Sequence, residues 1–511
     1  MKLKNILGKI FSRNFIFAML IIVQVLFFIF SVTKIGEQFY FVYLFLICLD
    51  IVLVIYIMNL DENPSYKLAW IIAISIFPLF GGLSYVFIKI SQKIPREIGL
   101  HYQQQAQAYL IQNNDTLRLL EERMPDSGNL ARYVANYGPY PVYRRTACEY
   151  FPLGELQFDA MIKELNNAKR FIFMEFFIIS EGYMFDTVSE ILIRKAKEGL
   201  DVRLMYDGIG TGMLNSSKPF KELQAQGVKC KSFNPFTPFL STVQNNRDHR
   251  KIIVIDGHTA FNGGTNLADE YINRKERFGH WKDTAIMLKG EAVWNYTIMF
   301  LQLWEFGEKI GSDFENFLPV EKEFFDTPTD GFVQPFSDSP LDNENVSKCV
   351  YLDMINNARK SVCITTPYLI LDDELFYALS FACKKGVDVT IITPHIPDKW
   401  YTHCVAWNTY PKLIEAGVKV YEYTPGFIHA KTLIADEQNA VVGTINFDYR
   451  SLYLHYECAS ILYGCSVVKS ICEDFEATVR VSKRITLEDC KNRSAFNKIA
   501  GFFLSSMSPL L

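Results

Sequence analysis

The feature that most restricts how this chain can fold is that much of it is written twice. Asn166-Asn167-Ala168-Lys169-Arg170 returns as Asn356-Asn357-Ala358-Arg359-Lys360, an offset of 190. An apolar stretch follows each, Phe171 to Ile179 in one copy and Ser361 to Ile370 in the other. Lys197-Glu198-Gly199-Leu200-Asp201-Val202 returns as Lys384-Lys385-Gly386-Val387-Asp388-Val389. Gly227-Val228-Lys229 returns as Gly417-Val418-Lys419, and His249-Arg250-Lys251 as His429-Ala430-Lys431. Four landmarks in one order mean a duplicated domain, and a period of 180 to 190 is far too long for a solenoid unit. Within the first copy, the β-rich runs Phe171–Ile179, Val202–Tyr206 and Ile252–Ile255 alternate with helical segments such as Thr187–Glu198. That alternation predicts an α/β fold, a sheet covered by helices, with the two copies packed about a pseudo-twofold axis.

Ahead of the duplication lie three apolar runs, about 15–32, 39–60 and 68–90. Each approaches the roughly 20 residues that cross a bilayer as a helix. Asp50 is the only charge in the second run, and the third contains Pro78, Gly81 and Gly82. No small-residue cleavage site follows the first run, and two more runs do, so the pattern reads as a retained anchor rather than a signal peptide. Two or three transmembrane helices are expected, in a multi-pass protein of the cell membrane. Lys2, Lys4, Lys9 and Arg13 before the first run, and Lys89, Lys93 and Arg96 near the end of the third, draw both ends to the inside. Three spans cannot satisfy both. The expected division is a membrane segment at 1–92, a polar juxtamembrane connector at 93–140 with the turn-like Pro125-Asp126-Ser127-Gly128, a first domain at 141–325 and a second at 326–511.

Composition narrows the function. With 49% hydrophobic and 14% aromatic residues in 511, the chain is no disordered protein. A net charge of -4 argues against a protein that coats nucleic acid. Eleven cysteines, an odd count with no C-x-x-C pair, argue against a disulfide framework or a zinc finger. Cys458, Cys465 and Cys472 read as small apolar packing residues.

The first copy carries His249-x-Lys251-x4-Asp256-x6-Gly263-Gly264-x-Asn266, and the second His429-x-Lys431-x4-Asp436-x6-Gly443-Thr444-x-Asn446. Alternate residues of a strand share a face, so each His and its Lys point together. The apolar run Ile252 to Ile255 buries the strand that follows. The glycines permit close backbone approach to a ligand. Two His–Lys pairs and two asparagines, Asn266 and Asn446, suit an anionic tetrahedral centre such as a phosphate. One histidine can act as nucleophile, the other as general acid and base.

These paired motifs resemble the phospholipase D superfamily, whose hallmark is two HKD motifs, and within it the bacterial-type cardiolipin synthases. Phe278-Gly279-His280-Trp281-Lys282-Asp283, Thr366-Pro367-Tyr368, Asp448-Tyr449-Arg450-Ser451 and the ending Ser508-Pro509-Leu510-Leu511 carry the same resemblance. It implies two tandem phospholipase D-like sandwich domains and a phosphatidyl-histidine intermediate, with no metal and no cofactor. It implies His249 as nucleophile, and His429 as the group that protonates the leaving glycerol and deprotonates the acceptor. Phosphatidylglycerol and membrane lipid are the implied partners. Asp256 and Asp436 belong to the motifs, as catalytic members or as structural caps. The resemblance places a histidine-orienting carboxylate at Glu457, and aligning Asp283-Thr284-Ala285 with Glu457-Cys458-Ala459 makes Asp283 its counterpart in the first copy. Two positions depart from the family pattern: His455, where asparagine is usual, and Gly208 after Asp207. Glu175 resembles a family position near the pocket and otherwise reads as a solvated carboxylate. The C-terminal stripe Ile499, Phe502, Phe503, Leu504 and Met507 reads by default as core, and alternatively as a lipid contact.

Overall fold

The computed structural model describes residues 40–60, 63–76, 80–211, 218–235, 245–306, 312–319, 329–342 and 344–510. They form two compact units, one of the described N-terminal residues up to Ile98, the other of Gly99–Pro235 and Asn246–Ser508.

In the N-terminal unit, Ile57, Ile74 and Tyr85 form a small core. Asp50 is buried, and its Oδ1 lies 2.8 Å from where a Cβ on Gly82 would sit. The first expected span, 15–32, lies outside the described residues. The second is the helix Tyr40–Met58 of 19 residues, which rises roughly 28 Å against a hydrocarbon core of about 30 Å. The third is not one helix. Its residues divide between Pro64–Ile76, thirteen residues long, and the start of Phe80–Gln107, which turns polar after Lys89. Among the described residues, no helix is long and apolar enough to cross a membrane. The expectation of transmembrane helices is corrected to that extent.

The larger unit is built on one sheet. The first copy supplies β1 (Tyr143–Phe151), β2 (Phe171–Phe176), β3 (Asp201–Asp207), β4 (Lys229–Phe233), β5 (Ile252–Ile255), β6 (Thr259–Gly263), β7 (His280–Lys282) and β8 (Ala285–Gly290). The second supplies β9 (Thr329–Asp338), β10 (Ser361–Thr365), β11 (Asp388–Pro394), β12 (Lys419–Tyr423), β13 (Gly426–Ile428), β14 (Thr432–Ala435), β15 (Asn439–Gly443), β16 (Glu457–Tyr463) and β17 (Ser482–Arg484). The main sheet runs β4-β3-β2-β5-β6-β8-β1-β9-β16-β15-β14-β10-β11-β12-β17. Read outward from the antiparallel β1–β9 seam, where Tyr143 faces Val333, the two copies give the same order, with β17 added at the outer edge of the second. The duplication is therefore a pseudo-twofold about that seam.

In each copy three strands are parallel and joined through helices, and the motif strand enters antiparallel beside the first of them. Strand β2 is buried at every position, which explains its unbroken apolar run. Ile172, Met174 and Phe176 pack into the layer shared with the helices Gly154–Asn167 and Tyr183–Lys197. Phe171 and Phe173 face the other way, where Phe173 stacks on Phe300 at 4.6 Å. Phe300 belongs to Val293–Glu305, a helix buried along its whole length.

Residues 99–140 are part of this unit. The helix Asn114–Arg123 is capped by Asn113, which accepts from the amides of Asp115 and Thr116. The segment Pro125–Gly128 is no free turn. It opens the helix Pro125–Tyr137, with proline at a position whose N–H has no helical partner. Gln334 of β9 donates to the carbonyls of Ala131 (3.0 Å) and Tyr140 (2.8 Å), tying this segment to the second copy. All eleven cysteines are unpaired.

Candidate active site

Each motif strand begins at the pocket. His249 and Lys251 lie just before or at the entry to β5 and share a face, while Arg250 between them points into the core. There Arg250 donates to Glu175 at 2.6 Å, with Asp248 at 3.4 Å. Glu175 is fully buried, so it is neither solvated nor part of the wall. It anchors the strand from beneath.

His249 Nδ1 lies 2.8 Å from Oε1 and 3.0 Å from Oε2 of Glu457. His429 Nδ1 lies 2.7 Å from Oδ2 of Asp283. Each imidazole is thus oriented by a carboxylate of the other copy, leaving Nε2 for the ligand. The main chain explains the exchange. The amide of His249 donates to the carbonyl of Tyr456 (3.0 Å), and that of His429 to the carbonyl of Lys282 (2.7 Å). The approach to each histidine therefore runs beside the residue preceding the opposite carboxylate, and β7 pairs with β13 in parallel. The result is one pocket with both copies in it: Lys431 and His429 act electrostatically on His249, and Lys251 acts on His429.

Both lysines are buried and donate Nζ to the carbonyl of their own motif histidine. Burial lowers Lys251 to about 8 against the pull of Glu457 and Asp283. Burial lowers Lys431 to about 7, with Asp283 opposing and Lys251 reinforcing. Burial, then Lys251, holds His249 well below the usual imidazole range. His429 is lowered to about 4 by burial and Lys431, with Asp283 opposing. The two carboxyls differ. Burial pushes Glu457 up to about 8 despite Lys251 and a hydrogen bond from Thr444. Burial also works against the charge of Asp283, yet His429, Lys431 and the Thr284 amide hold it below the ordinary range.

Comparison with known proteins places the chain in a family. The sequence profile described as "Cardiolipin synthase, PLD-like domain" matches residues 161–304 and 351–479, one match in each copy. A cardiolipin synthase of Alkalihalophilus pseudofirmus is 34% identical, over 88% of this chain and 90% of its own length. Cardiolipin synthase 2 of Bacillus anthracis is 33% identical, over 88% of each chain. The chain belongs to the phospholipase D-like cardiolipin synthase family. An uncharacterized protein of Streptococcus mutans is 45% identical over 90% of this chain and 99% of its own. The crystal structure of phosphatidylserine synthase from Haemophilus influenzae shares the fold at a TM-score of 0.58 and 14% identity, covering 75% of this chain and all of that one.

Within this family member the remaining expected residues divide. Asn266 is at the site but engaged, accepting from the amide of Ile178 (2.9 Å) and donating to the Tyr271 hydroxyl (2.7 Å). Asn446 keeps a buried side-chain oxygen with no hydrogen-bond partner among the described residues. The glycines serve the carboxylate rather than the ligand directly. A Cβ on Gly264 would lie 2.0 Å from Asp283 Oδ1, and its counterpart Thr444 donates to Glu457.

Asp256 and Asp436 are corrected to a structural role. Each closes the far end of its motif strand, roughly 20 Å along the chain from the histidine at about 3.3 Å per residue. Asp256 accepts from the amides of Lys169 (2.8 Å), Arg170 (2.7 Å) and Phe171 (3.0 Å). Asp436 accepts from those of Arg359, Lys360 and Ser361. Both sit at φ +56, a left-handed turn that Asp tolerates.

The motifs did not reveal the aromatic walls. Tyr271, Trp281 and Phe427 lie 5.5, 5.6 and 5.8 Å from the His429 ring. Phe177 and His455 lie 5.1 and 5.6 Å from His249. Trp281 precedes Asp283 by two residues, as His455 precedes Glu457, so alignment of the copies contained that signal. His249, His455 and Glu457 bring one potential ligand atom each within 4.8 Å of one another, but Lys251 and Lys431 beside them oppose a cation.

Proposed function

We propose that the chain transfers a phosphatidyl group from one phosphatidylglycerol to a second, giving cardiolipin and glycerol. The observation that carries this reading is the exchanged pair of His–carboxylate contacts in one lysine-flanked pocket, in a chain whose relatives include cardiolipin synthases. His249, held neutral, attacks phosphorus through Nε2. The bond from phosphorus to the glycerol oxygen breaks, and His429 delivers a proton to that oxygen. In the second half the acceptor's hydroxyl gives its proton to His429 and attacks phosphorus, and the phosphorus–His249 bond breaks. Lys251 and Lys431 offset charge on the phosphoryl oxygens.

The unlike carboxyls support these roles. Ionised Asp283 suits a histidine that must take up a proton, and Glu457 beside Nδ1 of His249 accepts the Nδ1–H that turns more acidic once Nε2 bonds phosphorus. Lowered to about 4, His429 is neutral near pH 7. A bound phosphodiester anion raises its pKa and so loads the acid. The apolar N-terminal runs, together with the match of residues 48–89 to a "Phospholipase_D-nuclease N-terminal" profile, support attachment to the cell membrane that carries these substrates.

Incubation with labelled phosphatidylglycerol tests the reaction. Cardiolipin and glycerol should appear in equal amounts, and phosphatidic acid as sole product would refute transfer. His249→Ala and His429→Ala should each abolish turnover with the fold intact. Acid-quenched wild-type protein should carry lipid label on His249, and label on His429 alone would reverse the roles.

A further inference from the structure

An amphipathic helix on a protein normally buries its apolar side. The last helix, Ala495–Ser506, does the reverse. Its inward stripe is Asn497, Gly501 and Ser505, four residues apart and therefore on one face. This stripe lies on the helix Trp400–Glu415. A Cβ on Gly501 would lie 2.8 Å from the Cys404 carbonyl oxygen, and Asn408 donates to the Ser505 hydroxyl at 2.9 Å. The opposite side carries Phe496, Ile499, Phe502, Phe503 and Met507, which are 71%, 59%, 69%, 64% and 51% exposed. At 100° per residue these five fall within an arc of about 140°. Core packing, the default expectation for this stripe, is thus corrected: the large side chains are outside. An exposed apolar face of this kind marks an interaction site.

We infer that this outward face is a lipid-docking surface that seats the catalytic unit on an anionic bilayer, a reading that rests on the proposed phospholipid substrate. Charge separates a bilayer from a second copy of the chain. From Arg480 to Leu511 there are six basic and two acidic side chains, in a chain whose net charge is -4. Lys498, on the helix beside the apolar arc, and Lys491, whose carbonyl accepts from Lys498 Nζ at 2.6 Å, are both exposed. An anionic lipid surface complements this arrangement, whereas a second copy would set like charges against each other. Location points the same way. The supporting helix follows directly on Lys399, whose Nζ lies 4.8 Å from the ring of Tyr368, in the segment Thr366-Pro367-Tyr368 that carries the family resemblance. Trp400 itself is 57% exposed. Docking through this face brings the bilayer to the side of the catalytic unit that carries Trp400.

The test places a photo-crosslinker in the full-length chain by Phe502→p-benzoylphenylalanine, reconstituted in vesicles of phosphatidylglycerol and phosphatidylcholine. A lipid adduct at that position is expected. A crosslink to a second copy, or no adduct at all, would overturn the inference. In parallel, Phe496→Ser, Phe502→Ser and Phe503→Ser are combined in one variant. Its kcat/KM on vesicle-borne phosphatidylglycerol should fall tenfold or more, while that on monomeric dihexanoyl phosphatidylglycerol stays within twofold of wild type. Equal loss on both substrates, or loss on neither, would also overturn it. A wild-type protein inactive on both substrates would instead sink the proposed reaction, and the crosslink would still decide the docking.

Discussion

Replacing Asp283 by asparagine should damage the reaction far more than replacing Glu457 by glutamine. The His429 Nδ1 to Asp283 Oδ2 contact is 2.7 Å, which puts the two charge centres about 4 Å apart once the imidazole is protonated. At an effective dielectric near 20, that pair is worth about 4 kcal/mol, or roughly a thousandfold in rate. Asparagine keeps the shape and removes the charge. Burial pushes Glu457 up to about 8, so near pH 7 it carries less negative charge beside His249 than Asp283 carries beside His429, and glutamine removes less. Its substitution should cost about tenfold or less, on the order of 1 kcal/mol. Quench-flow measurement of glycerol release at pH 7 reads both variants, with thermal melts to confirm folding. A loss in Glu457→Gln equal to or greater than that in Asp283→Asn would refute the assignment of His429 as acid. Losses below tenfold in both would refute the electrostatic argument altogether.

Asp256→Ala should lower stability by about 2–4 kcal/mol, because three backbone amides lose their acceptor, yet leave kcat within a few-fold. Urea unfolding and steady-state turnover check the two halves of that statement. Gly264→Ala drives a methyl group to within 2.0 Å of Asp283 Oδ1 and should reduce turnover at least a hundredfold with the protein still folded. Acid should weaken the contribution of the two histidines to stability. His429 binds its proton near 4 when folded and near 6.5 when unfolded, so the unfolded chain holds more protons between those values. The His429 contribution is then full above about pH 6.5 and declines as pH falls toward 4, while Glu457, raised from 4.5 to about 8, contributes in the opposite sense. His249 shifts in the same direction. Melting temperatures from pH 7 to 4.5 should fall less steeply in a His249→Asn, His429→Asn double variant than in wild type.

What the sequence reveals about the site depends on distance along the chain. His249 with Lys251, and His429 with Lys431, were legible because strand alternation is local. The role of Asp256 was not, since its partners at Lys169, Arg170 and Phe171 lie more than eighty residues earlier. A signal existed nonetheless. The Asn-Asn-Ala-basic landmark and the motif aspartate are both repeated, and each aspartate caps the amides at the end of its own landmark. Glu457 and Asp283 were recognisable as carboxylates of the right kind. Their exchange between copies was hidden, because aligning the repeats pairs each with its own motif, whereas docking about the seam pairs it with the other. Apolar content alone misread two segments. The third N-terminal run divides into two helices, and the terminal stripe faces outward, since composition records how apolar a segment is but not which side its neighbours cover.

The exchanged carboxylates also bear on mass action. A chain with a single repeat would hold a histidine without its orienting partner. It could complete the pocket only by meeting another molecule, at a rate and occupancy set by its abundance. Joining two repeats in tandem makes that encounter intramolecular and independent of concentration. It also frees each half to diverge, which is how one histidine comes to be backed by Asp283, held below the ordinary carboxylate range, and the other by Glu457, which burial pushes up to about 8.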